Sequence, residues 1–219
     1  MIVIGLTGGM AMGKSTAARF YRSHHVPVFD ADAVVHQLQS PKGRAIPALR
    51  AAFPGAFTKV GLDRALLRQI VMADPVRLAQ LESIMHPLVR AAQRKFRAQA
   101  QRARARLCVL DIPLLFETGG DRRVDLVVTA SAPHSVQLHR IREQRHLPED
   151  QIKSILAHQL PDKLRRKYAD LVVPTGLSRY HSLKILKTHL LQLLAKDPSC
   201  VRYCLTPKRR ASIHWRATA

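Results

Sequence analysis

The chain has 219 residues, 47% of them hydrophobic, enough for one α/β domain, or a core with one or two small insertions, that buries a proper interior and folds alone. Its three cysteines, Cys108, Cys200 and Cys204, form no C-x-x-C pair, which argues against a disulfide framework or a zinc site; Cys200 and Cys204 read as incidental thiols. No apolar run approaches the length of a membrane span and an apolar strand already begins at residue 2, so no secretion signal is expected and the chain is expected in the reducing cytoplasm. A formal charge of +21 suits a polyanionic partner, either nucleic acid or a polyphosphorylated small substrate. The basic residues are spread along helices, and aromatics make up only 5% of the chain, which favours phosphate substrates or diffuse charge over a base-stacking surface.

Ile2-Val3-Ile4-Gly5-Leu6 is an apolar, β-branched run that predicts a buried strand, and Ala17 to Tyr21 predicts a helix. Between them lies Gly8-Gly9-Met10-Ala11-Met12-Gly13-Lys14-Ser15-Thr16, which meets the G-x-x-x-x-G-K-[ST] spacing of a P-loop at the strand-to-helix junction where that motif works. The residue types dictate the chemistry. Backbone from Gly9, Met10, Ala11, Met12 and Gly13 can turn tightly and wrap N–H groups around a polyphosphate, while the helix N-terminus adds partial positive charge. Lys14 can reach the β- and γ-phosphates, the Ser15 hydroxyl suits Mg²⁺, and Thr16 can donate on the α-phosphate side.

Val26 to Phe29 predicts a second strand, ending in Asp30-Ala31-Asp32. Carboxylates just past the carboxyl end of a parallel strand reach the crevice where open α/β sheets bind ligands. One aspartate can cap the following helix, a role that suits Asp30, and the other can accept the proton of an attacking hydroxyl, a role that suits Asp32. Residues 33–106 read as helical, with turns at Ser40-Pro41-Lys42-Gly43, Phe53-Pro54-Gly55 and Asp74-Pro75, too long for a crossover helix and so expected to be an insertion over a second substrate. Within it His86-Pro87 is either a packing feature or a substrate-side group. Arg90 to Arg106 reads as a long solvated helix.

Leu107 to Leu110 predicts a third strand, ending in Asp111-Ile112-Pro113-Leu114-Leu115-Phe116-Glu117. Asp111 is either the Mg²⁺-facing carboxylate of a P-loop enzyme or a turn cap, and Leu114, Leu115 and Phe116 form an apolar wall that reads more as core than as pocket. Val124 to Thr129 predicts a fourth strand, with a helix opening at Pro133. From Gln137 to Lys167 the chain carries Arg140, Arg142, Arg145, Lys153, Lys163, Arg165, Arg166 and Lys167. This is either a solvated face or a lid whose arginines stabilise a transferred phosphoryl group. Leu171 to Val173 predicts a fifth strand, Pro174-Thr175-Gly176-Leu177 a turn at the adenine end, and His181 to Lys196 a closing helix. The expected organisation is a P-loop core (1–32, 107–136 and 168–196), a helical insertion (33–106), a lid (137–167) and a mobile basic tail (197–219) containing Lys208-Arg209-Arg210. The fold class is α/β, a parallel sheet of the P-loop NTPase kind with helices on both faces.

In this combination and order the chain resembles the dephospho-CoA kinase family, over roughly Ile2 to Leu194. The carriers are Gly5-Leu6-Thr7-Gly8-Gly9 with Gly13-Lys14-Ser15-Thr16, Asp30-Ala31-Asp32, His86-Pro87, the Asp111 to Glu117 block, and Gln137 with Arg140, Gln159 and Ala169-Asp170. The resemblance implies transfer of the γ-phosphate of ATP to the 3′-hydroxyl of the ribose of dephospho-CoA, the last step of coenzyme A synthesis. It implies that the loop through Ala11 to Thr16 holds ATP with Mg²⁺, that Lys14, Asp32 and Arg140 are catalytic, and that Ser15 and Asp111 face the metal. Thr175 would lie near the adenine, and Asp32, His86, Asp111, Pro113 and Leu114 would line the acceptor side. Four positions depart from the family pattern: Ala11 stands where glycine is usual, Gln144 where a second lid arginine is common, Thr175 where asparagine is common and His36 where arginine is common. A nucleoside or nucleoside-monophosphate kinase would share the loop and lid but not the Asp111 to Glu117 block. A nucleic-acid-binding ATPase would account for the charge, but no recognisable nucleic-acid module is present. ATP and dephospho-CoA are the expected partners; neither a membrane nor a nucleic acid is expected, and the chain is expected to be a monomer or a weak homo-oligomer.

Overall fold

The computed structural model describes residues 1–145, 152, 156 and 159–195. They form two compact units: Met1–Phe29 together with the chain from Ala100 onward, and Asp30–Gln99. The expectations for Lys153, Cys200, Cys204 and the 197–219 tail lie outside the described residues, as do the side chains of Gln144 and Arg145.

The first unit is built on a five-stranded sheet. Its strands are β1 (Ile2–Gly8), β2 (Val28–Asp30), β5 (Leu107–Asp111), β6 (Leu126–Ser131) and β7 (Leu171–Pro174), in the order β2-β5-β1-β6-β7. β1 runs parallel to β5 and β6, and β6 parallel to β7. All seven residues of β1 are buried, as a central parallel strand covered on both faces requires. Alternate residues serve opposite faces. Ile2, Ile4, Leu6, Leu126 and Val128 pack with Ala17, Phe20 and Tyr21 of α1 (Lys14–Ser23) and with Leu186, Leu190 and Leu193 of the closing helix Arg179–Ala195. Val127 packs instead with Leu115, Phe116, Leu160 and Ala169. The chain passes from β1 out to β2, returns to β5 beside β1, and crosses to β6 on the other flank. The strand order thus reverses at β1, whose carboxyl end is where such sheets bind ligands.

The second unit is mostly helical. It contains α2 (Ala31–Leu38), α3 (Ile46–Ala52), the 3₁₀ turn Pro54–Ala56, a hairpin of β3 (Phe57–Thr58) and β4 (Gly61–Leu62), α4 (Arg64–Met72) and most of α5 (Pro75–Arg102). Leu38, Leu49, Phe53, Leu67, Val71 and Met85 form its own core. Asp30 accepts from the Ala33 N–H at 3.0 Å and caps α2, and Asp63 accepts from Ala65 and Leu66 to cap α4. Two features differ from the sequence expectation. The hairpin interrupts the helical pattern, because two-residue strands are too short to show alternation. α5 is one helix of 28 residues from Pro75 to Arg102, where the sequence predicts Arg90 to Arg106 as the long helix; it continues through Pro87, held by the packing of Leu78, Leu81, Ile84, Met85, Leu88 and Val89.

The remaining helices of the first unit are α6 (His134–Arg145), α7 (Asp162–Tyr168) and α8 (Arg179–Ala195). Asp170 fixes the approach to β7: its carboxylate accepts from the Val127 N–H at 2.7 Å. His189 of α8 is half-buried, its Nδ1 has no hydrogen-bond partner among the described residues, and burial lowers its pKa against the opposing charge of Asp170. The unfolded chain then binds this proton more readily than the folded one, so stability is full above the ordinary imidazole range near pH ~6.5 and falls as the pH drops through it. Replacing His189 by Gln is expected to shrink the difference in urea midpoint between about pH 7.5 and about pH 5.5; an unchanged difference would assign the acid sensitivity to other groups.

The β1–α1 junction carries left-handed backbone at Ala11, φ 58, and at Gly13, φ 81. Glycine reaches this region freely, whereas an L-residue is disfavoured there by about 1–2 kcal/mol. Ala11→Gly is therefore expected to stabilise the protein by about 0.5–1 kcal/mol, read as a higher urea midpoint, once the entropy cost of glycine is subtracted.

Candidate active site

The carboxyl ends of four parallel strands meet at one edge of the first unit. β1 delivers the Gly8–Ser15 loop, β5 delivers Asp111, β6 ends at Ser131, and β7 leads into Thr175. Lys14 opens α1, and its Nζ lies 2.5 Å from Asp111 Oδ1 with both side chains largely shielded from solvent. Asp111 comes from a strand whose five residues are all buried, so its carboxylate emerges from the sheet with little freedom to turn away. Thr7 Oγ1 donates to Pro113 O at 2.9 Å, tying the segment after β5 to the end of β1. In that segment Leu115 and Phe116 are core, as their apolar pattern predicts, whereas Leu114 is 40% exposed.

The loop itself is held from outside. The carbonyls of Met10, Ala11 and Met12 each accept a hydrogen bond from a different side chain: Gln137 Nε2 at 2.9 Å, Arg140 Nη1 at 3.4 Å and Thr175 Oγ1 at 2.8 Å. Gln159 takes the other backbone polar group of Met10, accepting from its N–H at 3.2 Å. Arg140 also donates to Thr175 O at 2.6 Å, and Thr175 N–H donates to Ser131 O at 2.8 Å. Gly13 is required twice over, by its φ and because a Cβ there would come within 3.1 Å of the Thr175 side chain.

A cleft of about 1320 Å³ borders this outer side, lined by Met12, Pro133, Gln137, Gln159, Arg165 and Leu177 among others. Arg165 is 3% exposed and packs so close to the loop that a Cβ on Gly9 would lie 2.6 Å from its Nη2. Its Nε stands 3.9 Å from Asp162, and Nε and Nη1 have no hydrogen-bond partner among the described residues. Burial lowers its pKa, and Asp162 and Glu117 oppose the shift; a guanidinium remains charged through such a change. Gln137 and Gln159 stand out in the sequence only as carriers of the family resemblance, and Arg165 only as one arginine of a basic run; their partners on the loop emerge only once the chain is folded.

The residues expected at the acceptor side divide between the two units. Asp111, Pro113 and Leu114 belong to the sheet unit with the loop, Arg140 and Thr175. Asp32 is exposed at the second position of α2, and His86 is half-buried in the middle of α5, both in the helical unit. His36 of that unit contacts the Arg64 guanidinium through its ring.

Two hard oxygen donors, the Ser15 hydroxyl at the start of α1 and the Asp111 carboxylate, fit Mg²⁺, which takes one or two protein oxygens and completes its shell with phosphate and water. Among the described residues no cluster of three His, Cys, Asp or Glu offers an all-protein metal cage. No described helix is long and apolar enough to cross a membrane.

The family model for dephospho-CoA kinase matches residues 2–178. A dephospho-CoA kinase of Gluconobacter oxydans is 48% identical over 188 residues, covering 84% of this chain and 94% of that protein. One from Bradyrhizobium diazoefficiens is 44% identical over 196 residues, covering 90% and 96%. Among solved structures, the protein TT1252 from Thermus thermophilus has a TM-score of 0.79 at 32% identity, covering 89% of this chain and 98% of that one. The dephospho-CoA kinase from Campylobacter jejuni shares the fold, with a TM-score of 0.66 at 22% identity over 87% and 96%. A match across the loop, the Asp111 segment and β7, with relatives of nearly the same length, leaves one conclusion: the chain belongs to the dephospho-CoA kinase family.

Proposed function

We propose that this chain carries out the reaction that names its family, moving the γ-phosphoryl group of ATP to the 3′-hydroxyl of the ribose of dephospho-CoA, and that it does so in the cytoplasm. The observation that carries the proposal is Lys14 paired with Asp111 at the mouth of a P-loop, in a chain matched by the family model from residue 2 to residue 178. The hydroxyl oxygen forms a bond to the γ-phosphorus as the bond from phosphorus to the β,γ-bridging oxygen breaks. The hydroxyl proton passes to a carboxylate, and ADP leaves.

In this reading the triphosphate is bound by loop N–H groups between Gly9 and Ser15, apart from those of Met10 and Met12, which donate to Gln159 and to Gly9 O, and Lys14 neutralises charge that builds on the β- and γ-oxygens. Ser15 and Asp111 would hold Mg²⁺, which supplies further neutralisation of the phosphate oxygens when bound. Asp32 is the proposed base, because it stands two residues beyond the carboxyl end of β2 and its exposed carboxylate can accept a proton, whereas Asp30 is occupied as a helix cap. Asp111 links the two roles of its strand end: it pairs Lys14 directly, so the lysine is oriented toward the loop before phosphate arrives. Pro113, Leu114 and His86 are the proposed acceptor-side contacts, and the turn that follows β7 the proposed adenine end. Positioning and charge neutralisation suffice, with no covalent enzyme intermediate.

Incubation with ATP and a panel of acceptors is expected to phosphorylate dephospho-CoA and to leave nucleosides and nucleoside monophosphates unreacted; the opposite pattern would make it a nucleotide kinase of the same fold. Lys14→Ala is expected to lower kcat/KM by roughly 10²–10³-fold. Asp32→Asn is expected to cut kcat by roughly 10²–10⁴-fold while the Kd for ATP stays within about twofold. Undiminished turnover in Asp32→Asn would pass the base role to Asp111.

A further inference from the structure

Three consecutive loop carbonyls, those of Met10, Ala11 and Met12, are each taken by a separate side chain. Gln137 and Arg140 come from successive turns of α6, and Thr175 from the end of β7. Gln137 is 3% exposed, so its amide has no competing solvent, and Gln159 accepts from the N–H of the same Met10 whose carbonyl Gln137 holds. A loop with left-handed residues at alternate positions, 11 and 13, has the backbone of an anion-binding nest, in which N–H groups other than those of Met10 and Met12, already held by Gln159 and Gly9 O, face inward and carbonyls face outward. Outward carbonyls in a half-buried setting need donors, and each donor fixes the rotation of one peptide plane. The planes so fixed include both that flank Ala11, the one non-glycine residue of the loop with positive φ.

We propose that Gln137, Arg140 and Thr175 form a collar of positioning residues that sets the shape of the triphosphate nest from outside. This rests on the reading of the loop as the triphosphate site. Thr175 then acts on the nucleotide through Met12 rather than through the adenine: its single hydroxyl proton is directed to Met12 O at 2.8 Å, in preference to Ser131 O at 3.2 Å. Arg140 acts likewise through Ala11 and Thr175, with its two terminal nitrogens donating to backbone carbonyls. The collar also joins α6 to the loop, so a displacement of α6 alters the nest without any side chain touching phosphate.

A ligand with no adenosine separates the possibilities. Inorganic tripolyphosphate and ATP, each with Mg²⁺, are titrated calorimetrically into the wild type, Thr175→Val, Thr175→Ser and Gln137→Leu, with steady-state kinetics and thermal unfolding alongside. Thr175→Val removes the hydroxyl at nearly constant volume, and Thr175→Ser retains it. The collar requires Thr175→Val and Gln137→Leu to weaken both ligands by the same factor, about fivefold for each variant, as the loss of one intramolecular hydrogen bond implies. It also requires the KM for ATP to rise by that same factor in the kinetics, and Thr175→Ser restored to wild-type affinity. Weakened ATP with unchanged tripolyphosphate would place these residues on the adenosine and overturn the proposal. A fall in kcat at unchanged affinity would place them on the transition state, with the same consequence, and a fall in thermal stability alone would reduce them to scaffolding. If Thr175→Val does not fold, Gln137→Leu decides by the same criteria. Failure of the wild type to bind either ligand would instead remove the triphosphate reading of the loop, and the collar with it.

Discussion

Gathering backbone N–H groups around a polyanion turns the carbonyls of the same peptides outward, and those oxygens must find donors somewhere else in the fold. In this chain they find them on α6 and at the end of β7, from Gln137, Arg140 and Thr175. The sheet order makes that possible, because β6, which leads into α6, lies directly beside β1, and β7 lies directly beside β6. The donors therefore arrive from neighbouring strand ends with no long connection. Gly13 and Gly9 are the counterpart on the loop, bare of Cβ where Thr175 and Arg165 press against it.

Charge is distributed with a similar economy around the loop. On one side Lys14 meets Asp111, a partner that emerges from a wholly buried strand. On the other, Arg165 is almost completely enclosed, with Asp162 at 3.9 Å and only loosely aligned. A buried guanidinium without full hydrogen bonding is costly, and desolvation acts on it strongly enough to lower its pKa despite Asp162 and Glu117. Its field still reaches the loop, since charges within a shielded setting are screened far less than those on the surface. The net charge of +21 adds a diffuse attraction for phosphorylated substrates over the whole molecule, which favours encounter without selecting among them.

The residues that define the sheet unit were readable because their constraints are local. Ile2 to Leu6 must be a strand by composition, and Gly8, Gly13, Lys14 and Ser15 are spaced by the geometry of one turn between that strand and α1. Asp111 follows from an apolar run that ends in a carboxylate, and Asp30 caps α2 as its residue type suggests. The β3–β4 hairpin and the extent of α5, one helix from Pro75 rather than from Arg90, were not readable. Both depend on a helical-unit core, of Leu49, Phe53, Leu67 and Met85, that overrides local preference.

The amino-acid sequence alone determined the fold class, the phosphate loop, the carboxylate at the end of β5 and the family, because each rests on short-range spacing and on residue types with few alternative uses. Tertiary structure alone decided which groups hold the loop. Gln137 and Gln159 carry the family resemblance and Arg165 lies in a basic run, but all three are separated from Met10 and Gly9 by more than a hundred positions, and a contact across such a separation is written in the packing of strands and helices and nowhere in the local pattern. Ala11 shows the same division: the sequence shows an alanine where glycine is usual, and only the folded loop shows it at φ 58 between two carbonyls held from outside.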